Sequence, residues 1–395
     1  MQALLKAFKT EIAPTKEQKE KIICSIGIAR FLYNQYIAYN KKRYKMYQRG
    51  LLDDHQKHFV SANAFDKYVN HKLKKELPWI DTCGSKARKK ALVNAETAFK
   101  KFFKGEALFP RFMKLYFPKN NKGDWKIWRH KLMIPTLKQV RLKEFGYLPV
   151  GVPVISGTVS CKAGRCYVSV VVDIDEKSKY NKDLEASYQA ITDGVGIDLG
   201  VKDLAIVSDG KVFKNIHKHS KVKRLEKRLR RAQRRLSRKY AFQKKKGGKT
   251  AAASANIDKQ RRKIQKLYQR MDHIREEYEN KVIHEIVKQH PRFMTVEDLN
   301  VKGMIKNRHL AKAVAAQRFH RLLTKLKRKA ESIGIEFRIA DRFYPSSKTC
   351  HACGHIHKGL KLKDRVYVCP ACGYTEDRDI NASLNLRDAE EYRIA

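Results

Sequence analysis

The sequence predicts a chain of several domains, mixed α/β and β in class, on three observations. A helical, aromatic-rich stretch interrupts a set of short β-branched strands; a second region opens on the apolar run "GVGIDLGVKDLAIV", which carries an acid; and two closely spaced Cys pairs lie near the end. With 395 residues, 42% of them hydrophobic, the chain can bury two or three ordinary cores.

Residues 1 to 13 read as a strand. In "APTKEQKEKI", Thr15 followed three residues on by Gln18 is a capping-box pattern, and it starts a helix just after Pro14. The helical pattern continues to about Lys104, with Phe31, Tyr33, Tyr36, Tyr39, Tyr44 and Tyr47 among Lys and Arg. Such rings serve a core more often than they stack on bases. In "SKARKKALVNAETAFKKFFKG", Lys86, Lys89 and Lys90 cluster near one end, while Ala91, Ala95, Phe99 and Phe102 form an apolar stripe. The lysines are either a solvated face or a nucleic-acid contact.

After "FPRF" at Phe109 come "KQVRLKEFG", "VISGTVSC" and "CYVSVVVDID", strands joined by a Gly-containing hairpin at Lys162 to Arg165. They suggest a small β-barrel completed by the first strand, with the helices inserted in it. Tyr180 to Gly194 reads as a linker. Asp198 then ends a central strand and the chain returns as a hairpin, the way an RNase H-like domain begins; actin-like ATPases open with a similar "IDLG". Glu297 in "RFMTVEDLN" is a second strand-end acid, unless it is only a soluble cap. In "TEDRDINASLNL", Asp379 opens a short helix with Ile380, Leu384 and Leu386 on its apolar face, and Asp377 is the alternative, or simply the helix N-cap.

Three carboxylates from separate segments are what a two-metal phosphodiesterase requires, since hard oxygen ligands hold two Mg²⁺ ions (or Mn²⁺) about 4 Å apart. On that chemistry Asp198 bridges, and Glu297 and Asp379 each complete one shell.

Charge points to the substrate class. Eighty-seven Lys and Arg against forty Asp and Glu leave a net +47, which calls for a polyanionic partner. No run of about eighteen apolar residues offers a membrane span, and the start lacks a signal-peptide core, so the reading is a cytoplasmic protein that meets the nucleoid. The densest charge lies from Lys221 to Lys249, with fifteen Lys or Arg and one acid, Glu226. Val222, Leu225, Leu229, Ala232 and Leu236 make this an amphipathic helix, whose Arg224, Arg228, Arg231 and Arg235 are candidates for phosphate contact. Ile264, Leu267, Met271, Ile274, Tyr278 and Val282 continue the period as a second helix of a hairpin. "NRHLAKAVAAQRFHRLLTKLKRKAESIGI" adds another amphipathic helix before a strand at Phe337 to Ala340.

Cys350, Cys353, Cys369 and Cys372 are spaced C-x2-C-x15-C-x2-C, a zinc-ribbon signature for one structural Zn²⁺. His351, His355 and His357 lie nearby as surface or nucleic-acid-facing residues. In a reducing compartment Cys24, Cys83, Cys161 and Cys166 are expected as structural thiols.

"GIDLGVKDLA", "VEDLNVKGM", "SSKTCHACG" and "CPACGYTEDRDINASLNL", in this order, resemble the TnpB family of transposon-encoded RNA-guided DNA endonucleases, related to miniature type V CRISPR effectors. "PTKEQ" and "FPRF" agree more weakly, and "NASLNL" stands where the family often has a second Ala and Ile. The resemblance implies a wedge barrel (1–14 and 109–179) with a helical recognition insert (15–108). After the linker (180–194) it implies a RuvC nuclease domain (195–344 and 376–395) carrying an inserted zinc ribbon (345–375). It further implies a guide RNA, called omega RNA, held one protein per RNA, and a double-stranded target beside a short motif, where Lys86, Lys89 and Lys90 are the candidates for motif reading. A single site formed by Asp198, Glu297 and Asp379 would cut both strands. The presence of all three acids speaks against the nuclease-inactive, RNA-guided regulators of the family.

Overall fold

The computed structural model describes residues 5–52, 58–111, 117–119, 125–173, 192–245, 251–361 and 364–394. It divides into two compact units, Met1–Asn181 and Lys182–Ala395. Most of the expected linker, through residue 191, lies outside the described residues.

The first unit is a helical layer and a seven-stranded sheet. Strand β1 (Leu5–Ala13) leads into α1 (Lys16–Gln48), and the Thr15–Gln18 capping box forms in both directions. Helix α2 (Ala62–Tyr68) continues through a π-helical turn (Val69–Leu73), and α3 (Ser85–Phe103) closes the helical layer. Ile22, Ile26, Ala29, Leu32 and Tyr36 repeat at three and four residues along α1 and are buried with Ala91, Ala95 and Phe99 of α3. Of the tyrosines read as core or stacking candidates, Tyr36 is fully buried and its hydroxyl donates to the Val60 carbonyl at 2.6 Å, whereas Tyr39 and Tyr47 are exposed.

The remaining strands are β2 (Phe117–Lys119), β3 (Lys126–Ile127), β4 (Lys131–Ile134), β5 (Lys138–Leu142), β6 (Val154–Lys162) and β7 (Arg165–Asp173), in the order β2-β6-β7-β1-β5-β4-β3. The first strand thus sits at the centre of the sheet. Among the described residues β2 and β3 are its two edges. The β6–β7 turn places Ala163 and Gly164 at φ 54° and 83°, the paired positive values of the two-residue turn that suits twisted hairpins. One expectation is corrected here: Cys161 and Cys166 are not thiols but a disulfide. They are register partners across this hairpin, with Cα atoms 4.2 Å apart.

The second unit is built on a six-stranded sheet. Strands β8 (Thr192–Asp198), β9 (Asp203–Val207) and β10 (Val212–Lys214) form an antiparallel meander; β11 (Pro291–Glu297) and β12 (Glu336–Ala340) run parallel to β8. The order is β10-β9-β8-β11-β12-β15, where β15 (Tyr392–Ile394) is an antiparallel edge. Two long helices, α4 (Ser220–Lys245) and α5 (Ala251–Val287), separate β10 from β11. Leu225, Leu229 and Ala232 pack on Ile264, Leu267 and Met271, as the sequence period predicts.

Helices α6 (Val301–Lys306), α7 (Ala311–Gln317) and α8 (Phe319–Glu331) follow β11. The single amphipathic helix expected across α7 and α8 is interrupted at Arg318, which takes the left-handed conformation at φ 58°. The break lets the Gln317 amide donate to the Gly200 and Val201 carbonyls in the turn after β8, while Arg318 pairs with Asp272 and Glu279 of α5. Strands β13 (Val366–Val368) and β14 (Thr375–Asp377) form a two-stranded sheet, and α9 (Arg378–Arg387) ends the helical set. No described helix is long and apolar enough to cross a membrane.

Candidate active site and cysteine cluster

Strand periodicity fixes where the acids point. Side chains alternate faces along a strand, and Val195 and Ile197 of β8 are buried in one core with Val282 and Ile286 of α5 and Leu322 and Leu326 of α8. Gly194, Gly196 and Asp198 therefore face the other way. On β11, Met294 and Val296 join the same core, which sends Thr295 and Glu297 to the opposite face. Val296 is the parallel partner of Ile197, so Glu297 and Asp198 stand next in register, at the same ends of adjacent strands about 4.8 Å apart.

Helix α9 brings the third acid to this face. A Cβ placed on Gly196 would lie 1.9 Å from the Ser383 carbonyl oxygen and 2.4 Å from the Arg387 amide nitrogen, so α9 rests its backbone directly on β8 two residues before Asp198. Only glycine permits that approach. We predict that Gly196→Ala displaces α9 and lowers the melting temperature by several degrees, and an unchanged melting curve for Gly196→Ala would refute this packing.

Asp379 lies in the first turn of α9, and Asp377 is the N-cap, its carboxylate accepting from the Asp379 and Ile380 amides at 2.9 and 3.3 Å. The cap reading of Asp377 is thus the one realised. Burial, then the charges of Glu297 and Asp379, push the Asp198 carboxyl up to about 7; the Arg378 guanidinium pulls the other way. Glu297 is also raised, by burial and then by Asp298. Asp198 thus feels both of the other acids, yet the oxygens of the three are not gathered into a ligand cluster. Asp379 is instead engaged by Arg378, with Nη2 and Nε at 3.1 and 3.3 Å from Oδ1, and by Arg365 at 3.8 Å from Oδ2.

Among the described residues, the group whose metal-binding atoms all lie within 4.8 Å is Cys350, Cys353, Cys369 and Cys372. Each pair sits on a tight knuckle. The Cys350 amide donates to His355 and Gly354 donates back to Cys350; Cys369 and Gly373 repeat this with Tyr374, and Gly354 and Gly373 have φ of 72° and 75°. Cys350 and Cys372 sulfurs are 3.7 Å apart, and those of Cys353 and Cys369 are 3.6 Å apart. Four sulfurs about 2.3 Å from a tetrahedral ion would be separated by about 3.8 Å, so the cluster has the dimensions to bind a metal such as zinc. Of the neighbouring histidines, His355 is exposed, but His351 faces Asp388 at 3.5 Å and His357 packs edge-on against Tyr367.

The buried face of α9 differs from expectation. Ile380 and Leu384 are only half-buried, and the interior is taken by Asn381, Ala382, Ser383, Asn385 and Leu386. The Asn381 amide donates to the Thr349 carbonyl at 2.8 Å and its oxygen accepts from the His351 amide; Asn385 donates to Ser346 and Thr349, both at 2.7 Å. Two buried amides therefore tie the helix of Asp379 to the first cysteine knuckle. Sequence reasoning missed them, along with Gly196 and Arg378; the Asn-x3-Asn spacing, which puts both amides on one helical face, was the available signal.

Of the candidate cationic contacts, Lys86, Lys89 and Lys90 lie on α3, where Lys89 pairs with Asp66 at 3.7 Å. Arg224, Arg228, Arg231 and Arg235 are all exposed on α4, away from its packed stripe.

Three family models match the chain: the OrfB model described as "Probable transposase" over residues 170–308, a "Cas12f1-like, TNB domain" over 319–386, and the OrfB "Helix-turn-helix domain" over 1–49. In this chain, residues 5–48 of the last are a strand and one long helix. A Streptomyces pristinaespiralis protein named "Putative RNA-guided DNA endonuclease" is 29% identical over 98% of this chain and 89% of its own length. An Escherichia coli (strain K12) protein, "Putative RNA-guided DNA endonuclease InsQ", is 27% identical over 97% and 91%. The cryo-EM structure of a CRISPR-Cas12f ternary complex aligns with 96% of this chain and 83% of its own, at 14% identity and a TM-score of 0.37, too low to carry weight. With matched segments in both units and relatives that run nearly its full length, the chain belongs to the OrfB family of IS605-type transposable elements, the family of the TnpB proteins.

Proposed function

We propose that this protein is a transposon-associated, RNA-guided DNA endonuclease that hydrolyses target DNA at one site formed by Asp198, Glu297 and Asp379. The observation that carries the reading is the pairing of Asp198 and Glu297 at the ends of adjacent parallel strands, on the face where α9 delivers Asp379. The strand order, an antiparallel meander followed by two parallel strands, supports an RNase H-like (RuvC) nuclease domain. It would span 195–344 and 376–395, with the ribbon at 345–375. The seven-stranded sheet supports the wedge domain at 1–14 and 109–179, and the helices between its strands the recognition insert.

The donor set fits Mg²⁺: three carboxylate oxygen donors, with the cysteines held apart in their own cluster. Bound there, two magnesium ions would activate a water and stabilise the leaving oxygen of a phosphodiester. The chain's own residues prepare the site. Asp198, forced toward its neutral form by burial and by its two acidic neighbours, is the group with most to gain from a cation. Arg378 meanwhile holds Asp379 in place. The cysteines would hold one zinc ion, and through Asn381 and Asn385 the metal would order the helix bearing Asp379.

The guide RNA would lie on the exposed cations of α4, and Lys86, Lys89 and Lys90 would face the target-adjacent motif of the double-stranded DNA. Affinity for RNA should fall steeply with salt, and replacing Arg224, Arg228, Arg231 and Arg235 together by Gln should flatten the log–log slope by about 0.7 to 0.9 for each phosphate that is no longer neutralised. An unchanged slope would remove α4 from the interface. The test of the function itself is incubation of the protein, with RNA copurified from its native locus, with a plasmid bearing the matching sequence and Mg²⁺. Guided cutting supports the reading, and binding without cutting overturns it in favour of an inactive regulator.

A further inference from the structure

The end of the α4–α5 hairpin holds a hollow that the packing of the two helices leaves open. Below it, Leu225, Leu229 and Ala232 fill the seam with α5. Near the tip a cavity of about 520 Å³ remains, with Phe242 and Ile257 as apolar walls, the amides of Gln243 and Asn256 beside them, and Arg238 and Lys239 at the rim. Phe242 is 59% exposed. Arg238 also lines a second hollow of about 440 Å³, together with Arg230 and Arg234. These three arginines recur every four residues, so they form one row with a step of about 6 Å, slightly more than one helical turn, and the row leads to Phe242 four residues further on.

An apolar hollow at the end of an arginine row suits a ligand that is flat and aromatic at one end and anionic along its length. We propose that the hairpin tip is a nucleotide pocket: Arg230, Arg234 and Arg238 follow the sugar-phosphate backbone of a single-stranded stretch of the guide RNA, and one unpaired base enters the hollow to stack on Phe242. Only an unpaired base presents its face to an aromatic side chain. The Gln243 and Asn256 amides offer donors and acceptors to a base edge or to the 2′-hydroxyl that distinguishes RNA. The pocket assignment rests on the guided reading above, because it takes RNA as the resident polyanion of a segment with fifteen cations and one acid between residues 221 and 249.

The test uses the full chain and the RNA that copurifies with it, in filter-binding titrations over a range of salt, beside a DNA oligonucleotide of the same sequence. Phe242→Ala should weaken RNA binding by about 5- to 150-fold, the range expected for one stacked base, and leave the salt slope unchanged. Phe242→Trp should restore affinity, which separates stacking from a folding defect. Arg238→Gln should reduce the slope by about 0.7, and ultraviolet crosslinking should join RNA to the peptide containing Phe242. Full RNA affinity in Phe242→Ala, or a loss confined to DNA, overturns the pocket. If the wild-type protein carries no RNA at all, the guided reading fails and the pocket with it; if guided cutting stands while Phe242→Ala binds normally, the pocket alone falls.

Discussion

Asp198→Ala is expected to abolish DNA cleavage while guided DNA binding persists. A two-metal site supplies several kcal/mol of transition-state stabilisation through its ions, and each 1.36 kcal/mol is tenfold in rate, so losing the central carboxylate should slow cutting by about 10³-fold or more. On the proposed function, binding is carried by cations on other elements, and a gel-shift assay with matched DNA should be unaffected. Cutting at the wild-type rate would remove Asp198 from the site.

The same residue makes a stability prediction of opposite sign. Its carboxyl is raised from the ordinary value of 3.8 to about 7, so the metal-free folded state binds a proton that the unfolded chain has released. Stability present below about pH 4 is therefore lost as the pH rises toward 7. Asp198→Asn, which keeps the shape and removes the charge, should raise the melting temperature of the metal-free protein by several degrees at pH 8 and have little effect at pH 4. A melting temperature lowered at pH 8 would contradict the burial of this charge among like charges.

Removing the proposed zinc is the second large effect expected. Cys350→Ser, or a strong chelator, should release one zinc per chain and disorder 345–375, because a ribbon with a core of Cys350, Tyr367 and Cys369 has little else to hold it. The two larger cores are built from other residues and should survive, leaving most of the circular dichroism unchanged. Cleavage should nevertheless fall, although every acid is intact, because Asn381 and Asn385 would lose the knuckle carbonyls that anchor α9. Each buried amide left without its partner costs about 1–3 kcal/mol. Unchanged zinc content in Cys350→Ser would contradict the ligand assignment.

The parts of the structure legible in the sequence are those set by local rules. The Thr15–Gln18 box, the Lys162–Arg165 hairpin and the apolar period of α4 and α5 depend on residues within one or two turns of each other, and all form as read. The four cysteines are legible for a different reason: a soft tetrahedral ion dictates its ligands and their spacing whatever the surrounding fold. What the sequence hid depends on distant partners. Arg318 adopts a left-handed backbone because Gln317 must reach the turn after β8 and Arg318 the acids of α5. The polar interior of α9 contradicts the apolar face expected from Ile380 and Leu384, since the surface it meets is a row of knuckle carbonyls rather than a hydrocarbon core. The Cys161–Cys166 disulfide follows from hairpin register, which overrode the reading of both as structural thiols. The necessity of Gly196 is visible only once α9 lies upon it.

The most direct measurement is the position of manganese, used in place of magnesium, by anomalous diffraction from crystals of the protein with its RNA and an uncleaved DNA target. The proposed function predicts manganese bound by Asp198 and shared with Glu297 and Asp379, the Arg378–Asp379 ion pair having opened to admit it. Manganese bound elsewhere, with the three carboxylates still apart around engaged DNA, would contradict it.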